Sequence, residues 1–108
     1  MKRRRLGSTG LEVAPLALGT VKLGRNTALR YPRPFALPDD AALDRLLATA
    51  RELGINLLDT APAYGASEER LGRWLRGRRH DWVLCTKTGE EFDGRGSRFD
   101  FSPAHTRA

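Results

Sequence analysis

The sequence predicts an α/β fold built on a parallel sheet, and three observations predict it. Short apolar runs at Pro15–Thr20, Ile55–Asp59 and Trp82–Lys87 alternate with helical stretches. The middle run, Ile55-Asn56-Leu57-Leu58, is nearly continuous rather than alternating, as in a strand covered on both faces. Each helical stretch lies between two runs, so right-handed crossovers would set the strands parallel.

The elements follow in order. Arg3–Leu6 and Leu11–Val13 flank Gly7-Ser8-Thr9-Gly10 and read as a hairpin. Pro15–Thr20 is the first buried strand. Val21 to Pro38 holds Gly24, Pro32, Pro34 and Pro38 and reads as a long irregular loop. Asp39 to Leu53 is the clearest helix, because Leu43, Leu46, Leu47 and Ala50 form one stripe. Asp39 and Asp40 suit the positive end of its dipole, and Gly54 suits the position after its last turn. Ile55–Asp59 is the second strand. Ser67 reads as the N-cap of a second helix, with Glu68 and Glu69 in its first turn. Leu71, Trp74 and Leu75 are its buried stripe, and Gly77 ends it. Trp82–Lys87 is the third strand, with Cys85 expected in the core. Thr88 to Phe101 reads as a polar loop, with Glu90, Glu91 and Asp93 solvated. Ser102-Pro103 then opens another helix. The chain stops at Ala108 with that helix unfinished, so it reads as a fragment.

A chain of 108 residues has room for one small domain. Its 40% hydrophobic and 30% charged residues fit a soluble globular protein rather than a disordered one. No apolar run approaches the ~20 residues that cross a bilayer, so no membrane partner is expected. Met1-Lys2-Arg3-Arg4-Arg5 is not followed by the apolar core of a signal peptide. Cys85 stands alone, which fits a reducing cytoplasm. There is no paired Cys/His metal spacing, no GxSxG elbow and no phosphate-binding P-loop. All but Lys2, Lys22 and Lys87 of the nineteen basic residues are arginine, and the net charge is +6. That balance fits either a polyanion partner or a solvated, Arg-rich surface. The arginines are spread along the chain with few aromatics among them, so no nucleic-acid partner is expected.

The chemistry gathers at strand ends. Parallel α/β proteins bind ligands at the C-terminal ends of their strands. Gly19-Thr20, Asp59 and Lys87 occupy such ends, and Tyr64 follows Asp59 in the next loop. Neighbouring strands lie about 4.8 Å apart, so Asp59 and Lys87 can pair. A nearby ammonium stabilises a phenolate and makes a phenol a better general acid toward a carbonyl oxygen. A carboxylate beside that ammonium keeps it charged and oriented. Such a site suits carbonyl reduction with hydride from a cofactor. Each residue alone has a plainer reading: Asp59 as a turn cap, Tyr64 as a loop aromatic, Lys87 as a solvated strand end. Their joint placement favours the chemical one.

The segments "LGSTGLEVAPLALGT", "LLDTAPAYGASEERLG" and "WVLCTKTG" resemble the N-terminal hairpin and first strand, the signature segment and the third strand of the aldo-keto reductase family. They occur in the family's order and cover most of the chain. The resemblance implies an incomplete (β/α)8 barrel over residues 1–108: a β-hairpin plus about three β/α units. It implies reduction of aldehydes and ketones, thus a small carbonyl substrate, with NADPH as cofactor. Tyr64 would then be the proton donor, Lys87 the ammonium beside it and Asp59 the partner of the lysine. Gly19, Thr20 and Asp59 would line the nicotinamide end of the cofactor site. The family's fourth catalytic residue, a histidine, is expected beyond Ala108. Neither His80 nor His105 takes that role. A typical barrel needs about 250 residues, so the isolated chain is expected to be inactive. Its unpaired edges and open apolar face predict self-association. Two rivals stand beside this reading. One is a catalytically dead partial barrel acting as an interaction module. The other is a small basic nucleic-acid-binding protein resting on Arg73 to Arg79.

Overall fold

A computed structural model describes residues 1–108. Strands β1 (Arg4–Arg5) and β2 (Glu12–Val13) form the expected antiparallel hairpin. Strands β3 (Leu18–Gly19), β4 (Leu57–Asp59) and β5 (Val83–Cys85) form a parallel sheet with β4 in the middle. Helices α2 (Asp40–Glu52) and α3 (Ser67–Trp74) are the crossovers.

The strands are shorter than the apolar runs, and the backbone hydrogen bonds explain why. Ile55 N–H closes the end of α2 on Ala50 O at 3.0 Å, so it does not reach the sheet. Trp82 N–H donates at 3.3 Å to Arg79 O in the 3₁₀ turn Arg79–Asp81. Asn56 directs its side chain to the N-terminal hairpin, although its carbonyl accepts Val83 N–H at 2.7 Å.

Register decides which side chains face which way. Leu18, Leu58 and Leu84 form one row across the sheet, and Gly19, Asp59 and Cys85 form the next. Alternation sends successive rows to opposite faces. The leucine row faces the helices. There Leu58, fully buried, meets Leu43, Leu47 and Ala50 of α2, Leu71 and Leu75 of α3, Leu23 and Trp82. The other row faces away from this core. Cys85 is therefore exposed, not in the core as expected. Leu46 also departs from its predicted place in the α2 stripe. It stays 42% exposed while Leu43, Leu47 and Ala50 are buried.

The predicted caps are met at α2. Asp39 Oδ1 accepts Ala42 N–H at 2.7 Å, and Gly54 follows the helix at φ 90°. Ser102 likewise caps α4 (Pro103–Arg107) through His105 N–H at 3.2 Å.

Two loops carry more structure than predicted. The stretch after β3 begins with a single helical turn, α1 (Val21–Gly24), and buries Leu23. Its remainder is tied down by arginine. Arg70 donates to Leu23 O and to Pro38 O, each at 2.6 Å. The Thr88–Phe101 segment contains a second hairpin, β6 (Glu90–Phe92) and β7 (Ser97–Phe99). Its turn is built on Asp93, whose Oδ1 accepts Arg95 N–H at 2.8 Å and Gly96 N–H at 3.0 Å. These bonds, that from Gly96 foremost, hold the Asp93 carboxyl below the usual range.

Asn56 joins the N-terminal hairpin to the sheet. Its Oδ1 accepts Ala14 N–H at 2.8 Å, and its Nδ2 donates to Glu12 O at 2.9 Å. The bond to Ala14 lies where water is scarce, since Asn56 and Ala14 are buried, whereas Glu12 is exposed. Replacing Asn56 with leucine leaves both backbone groups unpaired. We expect a loss of about 1–3 kcal/mol, the cost of leaving the buried Ala14 N–H unpaired. Denaturant unfolding of the two proteins checks this, and an unchanged midpoint would count against it.

Candidate active site

The C-terminal ends of the three parallel strands lie side by side. Gly19 pairs with Asp59, and Asp59 pairs with Cys85. Lys87, two residues past Cys85, is on the same face. Its Nζ donates to Asp59 Oδ1 at 2.5 Å and to Thr60 O at 3.0 Å. The ammonium also lies over the Tyr64 ring, 4.9 Å from the centroid. The structure thus brings Asp59, Tyr64 and Lys87 together. Asp59 and Lys87 remain 44% and 48% exposed on their side chains, so the pair is open to a ligand.

Tyr64 reaches this place through a tight turn. Tyr64 N–H donates to Ala61 O at 3.1 Å, and Tyr64 O accepts Ser67 N–H at 3.1 Å. Ala61 and Ala63 are buried, so the turn is anchored by small side chains while the phenol projects from it.

Beneath the open pair lies a knot of hydroxyls. Thr20 Oγ1 donates to Asp59 O at 3.0 Å, and Thr20 N–H donates to the same oxygen at 3.0 Å. Ser67 Oγ lies 2.9 Å from both Thr20 O and Thr20 Oγ1, and 3.3 Å from Thr60 Oγ1. Thr20 and Ser67 are fully buried. Ser67 is therefore the first residue of α3 rather than its cap; the cap position is Ala66. Thr20 presents no side-chain surface to a ligand here. Its hydroxyl fixes the carbonyl of Asp59 instead.

Thr60 and Ser67 take roles that sequence reasoning misses. Thr60 directs its carbonyl to Lys87, and Ser67 ties the start of α3 to the end of β3. Only the adjacency of Thr60 to Asp59 hints at this in the sequence. Glu68 reaches the next residue along: it accepts from Thr86 Oγ1 at 2.5 Å.

The Lys87 amine is held above the ordinary lysine value of 10.5. The hydrogen bond to Asp59 is the largest cause; desolvation opposes it, and Tyr64 adds to it. A raised folded value means the stability gained from the protonated Lys87 is fully present below the ordinary lysine value of 10.5 while Asp59 is ionised. It is lost as pH rises through the raised value.

A side-chain carbon built on Gly19 would meet nothing within 4 Å, so the row has free space beside Asp59.

Asp59→Asn removes the main cause of the Lys87 shift. We expect the Lys87 Nζ titration, followed by NMR, to move down toward the ordinary value. An unmoved titration would show that Asp59 does not hold the ammonium.

Comparison with known proteins bears on this geometry. The model of the aldo/keto reductase family matches residues 15–108. The uncharacterised oxidoreductase YqkF of Bacillus subtilis is 35% identical over 108 residues, covering 96% of this chain and 30% of its own length. The NADH-specific methylglyoxal reductase of Escherichia coli is 35% identical over 103 residues, with 93% and 30% covered. A solved structure from Pseudomonas aeruginosa, assigned to the aldo-keto reductases, superposes with a TM-score of 0.84 at 60% identity. It is matched over 97% of this chain and 38% of its own. The chain thus spans about a third of the length of the relatives it matches. Its hairpin and three parallel strands with their crossovers are a partial (β/α)8 barrel, as the resemblance implied. The chain belongs to the aldo/keto reductase family of oxidoreductases.

Proposed function

We propose that this chain is the N-terminal segment of an NADPH-dependent oxidoreductase that reduces aldehydes or ketones to alcohols. The observation that carries the proposal is the Lys87 ammonium, bonded to Asp59 and lying against Tyr64 at the open strand ends.

In this reading Tyr64 hands its hydroxyl proton to the carbonyl oxygen of the substrate. Lys87 holds positive charge beside the phenolate that remains, which lowers the cost of forming it. Asp59 keeps Lys87 protonated and aimed. Gly19 leaves room for the cofactor ring, and Asp59 stands at its rim. The bound nicotinamide supplies the hydride. NADPH is our choice from family resemblance, while a relative named for NADH specificity makes NADH the comparison to run.

The partners we propose are a small carbonyl compound and the cofactor. The strand edges of β3 and β5 and the outward-facing row would drive association of the isolated chain. A cytoplasmic location is part of the proposal, supported by the free Cys85 thiol. Three of the four arginines from Arg73 to Arg79 have internal partners. Arg73 pairs with Glu69 at 3.2 Å, Arg78 stacks on Trp74 and Arg79 donates to Trp82 O at 2.8 Å.

The test is aldehyde-dependent oxidation of NADPH and of NADH by the natural full-length protein. We expect Tyr64→Phe to lower kcat by about 10²–10⁴-fold, the usual contribution of a positioned general acid. Wild-type turnover in that variant would sink the assignment. We expect no turnover from the 108-residue chain alone, and Tyr64-dependent turnover by that pure chain would reverse this part.

A further inference from the structure

Arg25 is the one charged residue among those buried, at 8% exposure, and no carboxylate pairs with it. Its guanidinium bonds to carbonyls instead. Nε donates to Thr27 O at 3.0 Å, Nη2 to Ala28 O at 3.0 Å and Nη1 to Ala63 O at 2.9 Å. Its outer face is covered by the Phe92 ring, 3.7 Å from the guanidinium carbon to the centroid. One side chain thus touches three ligand-side segments: the loop after β3, the turn after β4 and the hairpin after β5.

Burying a cation is unfavourable unless its donors are satisfied. Three donors of Arg25 are satisfied by carbonyls, and the one on Ala63 belongs to a buried residue. The bond to Ala63 matters most, because Ala63 immediately precedes Tyr64. The backbone beside it is pressed equally close. Ala66 N–H donates to Gly24 O at 3.2 Å. A side-chain carbon on Gly24 would strike Tyr64 O and Ser67 N, and one on Gly65 would strike Gly24 O. The Gly24-Arg25 pair is therefore a mould into which the Tyr64 turn is pressed.

We propose that Arg25 is a positioning residue for Tyr64, setting the height of the phenol over Lys87 through the Ala63 carbonyl. This rests on the reading of Tyr64 as proton donor. Phe92 closes the clamp from the β6–β7 hairpin, so movement of that hairpin would be felt at Tyr64.

The experiment uses the natural full-length protein with Arg25→Met, Phe92→Leu and Tyr64→Phe. Carbonyl reduction gives kcat, and fluorescence titration gives the cofactor Kd. Arg25→Met keeps the bulk of the stem but no donor. We expect its kcat to fall about ten- to a hundredfold, the scale of a small misplacement of a reacting group. The cofactor Kd should stay within about twofold, because Arg25 bonds to no residue of the Gly19–Asp59 row. Phe92→Leu should give a smaller fall in kcat, again with Kd unchanged. If Arg25→Met does not fold, Arg25→Lys, which keeps the charge and loses the fork, carries the same expectation. Inactive Tyr64→Phe beside normal kcat in the Arg25 and Phe92 variants overturns the inference and leaves the proton-donor reading standing. Active Tyr64→Phe overturns both.

Discussion

Everything at the site depends on the pairing of β4 with a parallel neighbour on each side. That pairing sets Gly19, Asp59 and Cys85 in one row and, two residues on, lifts Lys87 to the level of the carboxylate. The carbonyl of Asp59 then receives the N–H and the hydroxyl of Thr20, while its carboxylate receives Lys87. One residue thus closes the ladder with its backbone and holds Lys87 with its side chain. The same register turns Leu58 toward α2 and α3, so core packing and site geometry are fixed by one choice. A slip by one residue would bury Asp59 and expose Leu58.

Tyr64 is held by a different means. It lies on a turn rather than a strand, and that turn packs on α1, backbone against backbone, at Gly24 and Gly65. Arg25 and Ser67 secure the two ends of that contact with hydrogen bonds. The buried hydroxyls and guanidinium are satisfied almost entirely by backbone carbonyls. Such bonds fix main-chain position more firmly than exposed ion pairs do.

Much of this is legible in the sequence. Apolar runs of similar length, each followed by a loop, imply strand ends at one level, and the pairing of Asp59 with Lys87 follows from that pattern. The N-terminal acids and C-terminal glycine of α2 mark its limits almost to the residue. The misses have physical causes. Cys85 reads as a core residue, yet the parity that puts Lys87 on the open face puts Cys85 there too. The β6–β7 hairpin is signalled by Asp93-Gly94 between Phe92 and Ser97, a turn pair masked by the polar residues around it. Ser67 has the local pattern of an N-cap, and only the close approach of α1 buries it. Arg25 is illegible. Nothing in Gly24-Arg25-Asn26 marks that arginine from the others, since one of its partners, Ala63, lies far along the chain. A composition rich in arginine invites a surface reading, while Arg25 and Arg70 show arginine used to tie carbonyls together.

In our proposal the Lys87 ammonium, held by Asp59, makes Tyr64 an effective acid at the strand ends. The most direct measurement is kcat for carbonyl reduction by full-length protein carrying Lys87→Met, with cofactor binding measured alongside. We expect kcat to fall by about 10²–10⁴-fold while the cofactor still binds. Near-normal kcat with intact binding would contradict the claim, and the strand-end constellation would then be a structural ion pair.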